Sequence, residues 1–350
     1  MGALFTCEMD YIESQHLSQL YAGFEILQAK GIVDVRLIGT AAYTGKPILK
    51  VRINNRYTVI YDTLDGLNWI DGSLTDNLEY FRNHIRADFY FKRSFDDKLI
   101  EYAPQNCQVL PLGLNYYITP KTLHKKNIKD SLKNAIRNNP MVARYLKINH
   151  SDIFNEEFEY YPVVNNVNRI LFLTRLWDPG EVKQDNLKAE REVLNQYRID
   201  CIRLCKKEFG DQFTGGLQQD KFTTGSRYGE LVAPYELTKR SFFLNQIKAS
   251  NICIATTGLH GSIGFKLAEY LAASRAIITE PLNFRVPGNF ENGKNYFSFS
   301  NAEELVKNIS RLAGNRDAIS DMMHHNFIYY HNFLRPDMLV LNTLLSLTKG

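Results

Sequence analysis

Cysteine is scarce and poorly placed for any staple. Of 350 residues five are cysteine, at Cys7, Cys107, Cys201, Cys205 and Cys253. The number is odd and the spacing irregular, which argues against a disulfide framework and for reduced thiols in a cytoplasmic protein. Cys201 and Cys205 stand four apart in a helical pattern with no matching ligand pair, so zinc is not expected. No uninterrupted apolar run nears the roughly 18 residues that span a bilayer. Glu8 and Asp10 follow the start closely, so the N-terminus does not read as a signal peptide. No excess of one charge is present either. With 42 basic and 38 acidic residues the net charge is +4, too mild to make nucleic acid the main partner. Low-complexity tracts and internal repeats are lacking too. What remains is ordinary globular composition, 44% apolar and 23% charged, long enough for about two domains.

Strand and helix signals alternate along the chain. A first strand at Ala3–Cys7 precedes a helix over 12–30, with Leu17, Leu20, Tyr21, Phe24 and Leu27 at helical spacing. Strands are expected at Val33–Ile38, Tyr57–Tyr61, Ala87–Phe91 and Gln108–Leu110, with a helix over 77–86 between the second and third of these. A second unit follows near 166. Its expected strands are Arg169–Thr174, Gln212–Leu217, Asn251–Thr256, Ala276–Thr279 and Tyr296–Phe299. Its expected helices cover 186–208, 235–249, 262–274, 301–312 and 316–332. This alternation predicts α/β architecture, two Rossmann-like domains with parallel sheets facing across a cleft. The expected partition is 1–115, 116–165, 166–332 and 333–350, the last segment packing back on the first domain. Residues 116–150 carry eight basic side chains and one acidic, Asp130. Such a run reads as a solvated helical face or as a peripheral contact with an anionic membrane surface.

The most informative stretch runs from Asn251 to Glu280. It reads as strand, glycine-rich turn, helix, strand. The turn holds Gly258, His260, Gly261, Ser262 and Gly264. Glycines let backbone amides approach a ligand, and the helix that follows points its positive end at the same spot. This is a candidate diphosphate site, with Ser262 as helix cap or phosphate donor. Ser262, Lys266 and Glu269 fall at i, i+4 and i+7, so a helix from 262 would put them on one face. Glu269 can then accept hydrogen bonds from two ribose hydroxyls. The glycine spacing is not that of a dinucleotide fingerprint, and Glu280 lies too close to serve as its acid.

Three blocks together resemble the nucleotide-binding half of GT-B glycosyltransferases, particularly bacterial enzymes of cell-surface polysaccharide assembly. They are Phe172-Leu-Thr-Arg175-Leu-Trp177-Asp-Pro179; the run from His260 to Glu269-Tyr-Leu-Ala-Ala, followed by Arg275-Ala-Ile-Ile-Thr-Glu-Pro; and Asn295-Tyr-Phe-Ser-Phe-Ser with Glu303-Glu-Leu. They cover about 165–335. The resemblance implies Glu269 as the ribose-binding acid, Arg175 as the cation at the donor diphosphate, and Gly261, Ser262 and Gly264 as the phosphate-facing turn. Many retaining relatives carry a second acid eight positions before the ribose acid, where this chain has Gly261. The anomeric outcome therefore stays open.

Sugar transfer from a diphosphate builds negative charge on the leaving oxygen, and preorganised cations lower that barrier. Arg175 and the turn can supply this charge, with Lys183, Lys239 and Lys266 as further donor-side candidates. No two aspartates stand i,i+2, the spacing the other common glycosyltransferase fold uses to hold a divalent metal. A metal-independent reaction without cofactor is expected. Candidate acid–base groups are Asp10, His16, Asp62 and Asp65, after the first strand and after Tyr57–Tyr61, together with His260 in the turn. Lys92 and Arg93, following Ala87–Phe91, are candidates for an anionic acceptor. The leading reading is transfer from a nucleotide sugar to a glycan or lipid-linked acceptor, in the cytoplasm or at the inner membrane face. A nucleotide-sugar epimerase, a nucleotide-dependent oxidoreductase and a noncatalytic nucleotide-sugar-binding subunit are the competing readings. The sequence does not fix the oligomeric state.

Overall fold

In the computed structural model, residues 2–40, 45–122, 152–224 and 228–348 are described. The basic segment lies outside them from position 123 to 150, and so does any membrane contact through it. The chain forms two units. One comprises Met1–Glu157 with Asn332–Gly350, the other Phe158–His331.

The first unit is built on a six-stranded sheet ordered β2-β1-β3-β4-β5-β6. The strands are β1 (Phe5–Tyr11), β2 (Val33–Thr40), β3 (Ile48–Ile53), β4 (Tyr57–Asp62), β5 (Phe89–Lys92) and β6 (Gln108–Pro111). Only β3 runs against the others, so the sheet is mixed rather than wholly parallel. β3 has no counterpart in the sequence expectation. Its Leu49, Val51 and Ile53 are fully buried, while Lys50 and Arg52 alternate outward, the period-two pattern of a one-sided strand. Asn54 and Asn55, both at positive φ (53° and 55°), turn it into β4. Asparagine tolerates this region better than most residues, which suits it to hairpin turns. Helix α1 (Ser18–Ala29) buries Leu20, Phe24 and Leu27 against one sheet face. The opposite face is covered by Trp69 and by Leu78 and Phe81 of helix α2 (Leu74–His84). Ser73 caps α2, its hydroxyl accepting the Asp76 amide while Asp76 accepts the Ser73 amide.

The second unit carries five strands, all parallel and ordered β11-β10-β9-β7-β8. They are β7 (Ile170–Thr174), β8 (Phe213–Leu217), β9 (Ile252–Ala255), β10 (Ala276–Thr279) and β11 (Phe297–Ser298). β7, β9 and β10 are buried along their whole length, as continuous apolar strands between two helical layers should be. The crossovers include α3 (Asp185–Phe209), α4 (Arg240–Ala249) and α5 (Phe265–Ala272), and α6 (Ala302–Ala313) and α7 (Arg316–Tyr329) follow the last strand. The helix expected over 235–249 is broken at Lys239, whose extended backbone (ψ 134°) separates Tyr235–Thr238 from α4. The order of the strands reverses between β7 and β9. In such sheets ligands settle at that switch point, beyond the strands' carboxyl ends.

The chain's last helix, α8 (Pro336–Ser346), belongs to the first unit and packs on α1. Gly23 permits this close approach. A Cβ there would collide with the Pro336 carbonyl oxygen and stand 2.7 Å from Val340 Cγ2. Asp337, buried in α8, is paired with Arg335 at 2.7 Å and with Lys30 at 2.5 Å. These cations hold its carboxyl below the usual carboxylate range, against the opposing effect of burial.

Candidate functional site

In the second unit the loop after β7 and the turn after β9 meet at the switch point. α3 holds both. Arg191, Asn195 and Arg198 stand at i, i+4 and i+7 and share one face of that helix. Asn195 clamps the Trp177 backbone, accepting its N–H at 2.8 Å and donating to its carbonyl at 2.7 Å. Arg191 donates to the Asp178 carbonyl and pairs with Glu181 at 3.0 Å. Arg198 spans the two loops. It donates to the Arg175 carbonyl at 2.7 Å, the Thr257 carbonyl at 2.6 Å and Thr256 Oγ1 at 3.2 Å. Arg175 itself is exposed, its guanidinium 3.4 Å from the centroid of the Trp177 ring.

The turn is more self-contained than its glycines suggest. The Gly258 amide donates to the Ser262 carbonyl at 2.8 Å, and the Ser262 amide to the Leu259 carbonyl at 3.1 Å. Two carboxylates take three more donors, two of them amides. Glu280 accepts the Thr257 amide at 2.6 Å and the Thr257 hydroxyl at 3.0 Å, while Glu190 accepts the His260 amide at 2.5 Å. Three amides of the turn expected to face an anion, those of Gly258, His260 and Ser262, are thus bonded within the protein, as is that of Thr257 before it. His260 and Gly261 are both left-handed, at φ 58° and 63°. A Cβ on Gly261 would stand 2.8 Å from Asn283 Nδ2, whose amide also donates to the Gly261 carbonyl. This left-handed pair delays α5 to Phe265, with Gly264 as its uncapped N-cap. Ser262 is buried ahead of the helix, so it neither caps it nor shares its face with Lys266 and Glu269.

Glu269 lies in α5 and is only 3% exposed. Its Oε1 accepts Arg240 Nη2 at 2.8 Å, and its Oε2 is buried without a hydrogen-bond partner among the described residues. Lys266, one turn earlier, sits with its ammonium 4.1 Å from the Phe243 ring centroid. Burial pulls the ammonium down to about 8, helped by Arg240 and Arg198 and opposed by Glu269. Lys183 and Lys239 are exposed, and Lys239 pairs with Glu236 at 2.6 Å.

In the first unit, the carboxyl ends of β1, β4 and β5 bring His16, Asp65 and Arg93 together. Arg93 is buried, pairs with Asp65 and donates to Asn115 Oδ1 at 3.0 Å. Asn115 in turn donates to the His16 carbonyl at 3.1 Å. Burial and the neighbouring guanidinium lower the His16 imidazole to about 4, so it is neutral at pH 7. Asp10 is exposed near the end of β1 and does not cap α1, whose N-cap is Leu17.

Two expectations are overturned here. Asp62 and Lys92 are fully buried and spent on each other, 3.1 Å apart. Asp62 also accepts the Tyr90 hydroxyl, the Trp69 indole N–H at 2.7 Å and the Leu64 amide at 2.8 Å. Lys92 donates its remaining contact to the Leu64 carbonyl at 2.7 Å. Neither can meet a substrate. Asp62 is not a base, and Lys92 is not an acceptor ligand. Arg191, Asn195, Arg198, Glu190 and Arg240 were not anticipated. The one available signal was the polar set 191, 195 and 198 running into the apolar stripe Ile199, Ile202 and Cys205.

Among the described residues, no three His, Cys, Asp or Glu side chains are placed to hold a metal ion, and no helix is long and apolar enough to cross a membrane.

No protein-family model matches the chain, and no curated protein matches it. Solved structures do resemble it. Anabaena Alr3699/HepE, in complex with UDP, is 13% identical over 83% of this chain and 72% of its own, with a TM-score of 0.44. WaaG, a glycosyltransferase involved in lipopolysaccharide biosynthesis, is 12% identical over 79% of this chain and 66% of its own, with a TM-score of 0.41. The C-terminal domain of LpcC, a glycosyl transferase group 1 family protein from Francisella tularensis, is 12% identical over 50% of this chain and 95% of its own, with a TM-score of 0.35.

Proposed function

We propose that the chain is a glycosyltransferase, moving a sugar from a nucleotide-sugar donor to a glycan or lipid-linked acceptor without a metal ion. One observation carries the reading. A single parallel-sheet unit sets an exposed guanidinium, Arg175, at its switch point and keeps a buried carboxylate oxygen, Glu269 Oε2, without a partner among the described residues. A diphosphate needs the first. A ribose hydroxyl satisfies the second, since an unpaired buried acceptor is costly until something donates to it. As the bond to the diphosphate breaks, Arg175 stabilises the charge on the departing oxygen. One such donor is worth roughly 10²–10³ in rate. The turn contributes the His260 side chain, its amides being committed elsewhere. Acceptor recognition falls to the first unit, where Asp10, Asp65, Arg93 and the neutral His16 supply the polar groups. We place the reaction in the cytoplasm, with 116–150 as its contact to a membrane face.

The test is a thermal-shift panel of nucleoside diphosphates and their sugar conjugates on the full chain. A selective donor stabilises the protein, and Arg175→Ala and Glu269→Gln each reduce the shift. Turnover then continues in a chelator. Unchanged binding in both variants removes the assignment, and donor consumption without acceptor redirects it to hydrolysis or epimerisation.

A further inference from the structure

We infer that Arg198 is the buried positive charge of this same site, a positioning residue that locks the Arg175 loop to the turn after β9 and adds its field to a bound diphosphate. The inference rests on the donor-site reading and goes beyond it, because Arg198 lies outside the sequence blocks that suggested the site and reaches it from a helix, through the Arg175 carbonyl and Thr256 and Thr257.

Three observations converge. Arg198 is 5% exposed, yet among the described residues no carboxylate pairs with it within ion-pair distance; its three donors go to two backbone carbonyls and a threonine hydroxyl. Burying a cation among neutral acceptors is expensive, and a structural clamp could be made from an amide at lower cost. Second, the groups it binds are those of the switch point: the carbonyl of Arg175 itself and the strand-to-turn residues Thr256 and Thr257. Moving Arg198 moves both sides of the site together. Third, its charge is felt beyond its own contacts. It is one of the cations that push the Lys266 ammonium down, opposed there by Glu269. Glu280 faces Arg198 electrostatically but spends its Oε2 on Thr257, and Arg175 adds a like charge. The result is a positive charge held in a low-dielectric wall, where it interacts more strongly with an anion than it would in water.

The experiment uses inorganic pyrophosphate as probe, with binding to the full-length chain measured calorimetrically at several salt concentrations. Arg198→Gln retains amide donors for the clamp and removes the charge. The expected result is a loss of affinity of about tenfold or more, with a shallower dependence on salt, while the circular dichroism spectrum is unchanged. Arg198→Lys covers the case in which the glutamine variant does not fold. A buried ammonium loses its proton at lower pH than a guanidinium. The ratio of Lys-variant to wild-type affinity should therefore fall steadily from pH 7 to pH 10. A folded Arg198→Gln with wild-type affinity and salt slope overturns the inference, as does a Lys variant whose ratio stays flat. If Arg175→Ala loses pyrophosphate while Arg198→Gln does not, the donor site stands and this inference alone fails. If the wild type binds neither pyrophosphate nor any nucleoside diphosphate, both fail.

Discussion

Arg240 reaches Glu269 across 29 positions of sequence, its Nη2 donating to Oε1 at 2.8 Å and leaving Oε2 unpartnered among the described residues. One oxygen of the carboxylate is thus oriented by the protein, and the other is the one that the proposed function assigns to a ribose hydroxyl. The two can be separated experimentally. Arg240→Met should destabilise the fold by about 1–3 kcal/mol, because it strands a buried carboxylate. Glu269→Gln preserves shape and should cost little stability while weakening nucleoside diphosphate-sugar binding about 10–100-fold. Urea unfolding reads the first and titration calorimetry the second. Equal donor affinity in Glu269→Gln and wild type would remove ribose recognition from this residue.

Lys266 gives the site a pH signature. Its ammonium titrates at about 8 in the folded chain, well below the ordinary lysine value of 10.5. Between those values the unfolded chain binds more protons than the folded one, so the contribution of Lys266 to stability rises with pH across that window. Below pH 8 its unfavourable effect is fully present. Lys266→Met should accordingly be more stable than wild type at pH 7, and the gap should close toward pH 10. Denaturant midpoints at pH 7, 8.5 and 10 check this. A gap that is constant with pH would show that the substitution acts through packing on Phe243 instead.

The second unit was legible because its strands are buried on both faces, so Ile-Leu-Phe-Leu, Ile-Cys-Ile and Ala-Ile-Ile announce themselves without periodicity. β3 was not, since Lys50 and Arg52 interrupt its apolar residues and hide a half-buried strand in an apparently charged loop. The site divides the same way. Arg175 and the glycine turn stand at strand ends, where charge and glycine have few structural reasons to be. Arg198 and Arg240 lie within helices, where a charged residue reads as solvated until the buried face is known. Lys92 misled in the opposite direction. A lysine at the end of an apolar strand reads as exposed, and only the partner thirty positions earlier, Asp62, explains how it can be buried.

That pair makes a stability prediction distinct from any catalytic one. Asp62→Asn leaves the Lys92 ammonium buried without its counter-charge, a change typically worth about 3–5 kcal/mol. It also weakens the acceptor for Tyr90 and Trp69. The unfolding midpoint in urea should drop sharply, whereas transfer activity per folded molecule, measured at low temperature, should hold near the wild-type value. A folded Asp62→Asn that has lost activity would return Asp62 to the reaction.

Gly261 tests the turn itself. Its left-handed φ of 63° acts against any side chain there, and so does Asn283, whose Nδ2 would lie 2.8 Å from an added methyl group. Gly261→Ala should cost about 1–2 kcal/mol from backbone conformation alone, and the turn should relax at His260, where the chain already holds a non-glycine residue at positive φ. That relaxation pulls the His260 amide off Glu190 and alters the seat of α5. Donor affinity should therefore fall further than in Asn283→Ala, which removes the steric conflict partner and one hydrogen bond but leaves the backbone free to keep its shape. Combining the two separates the causes. If crowding dominates, Asn283→Ala restores the binding lost in Gly261→Ala. If the left-handed backbone dominates, the double variant binds no better than Gly261→Ala alone, and the second outcome is the one expected from φ.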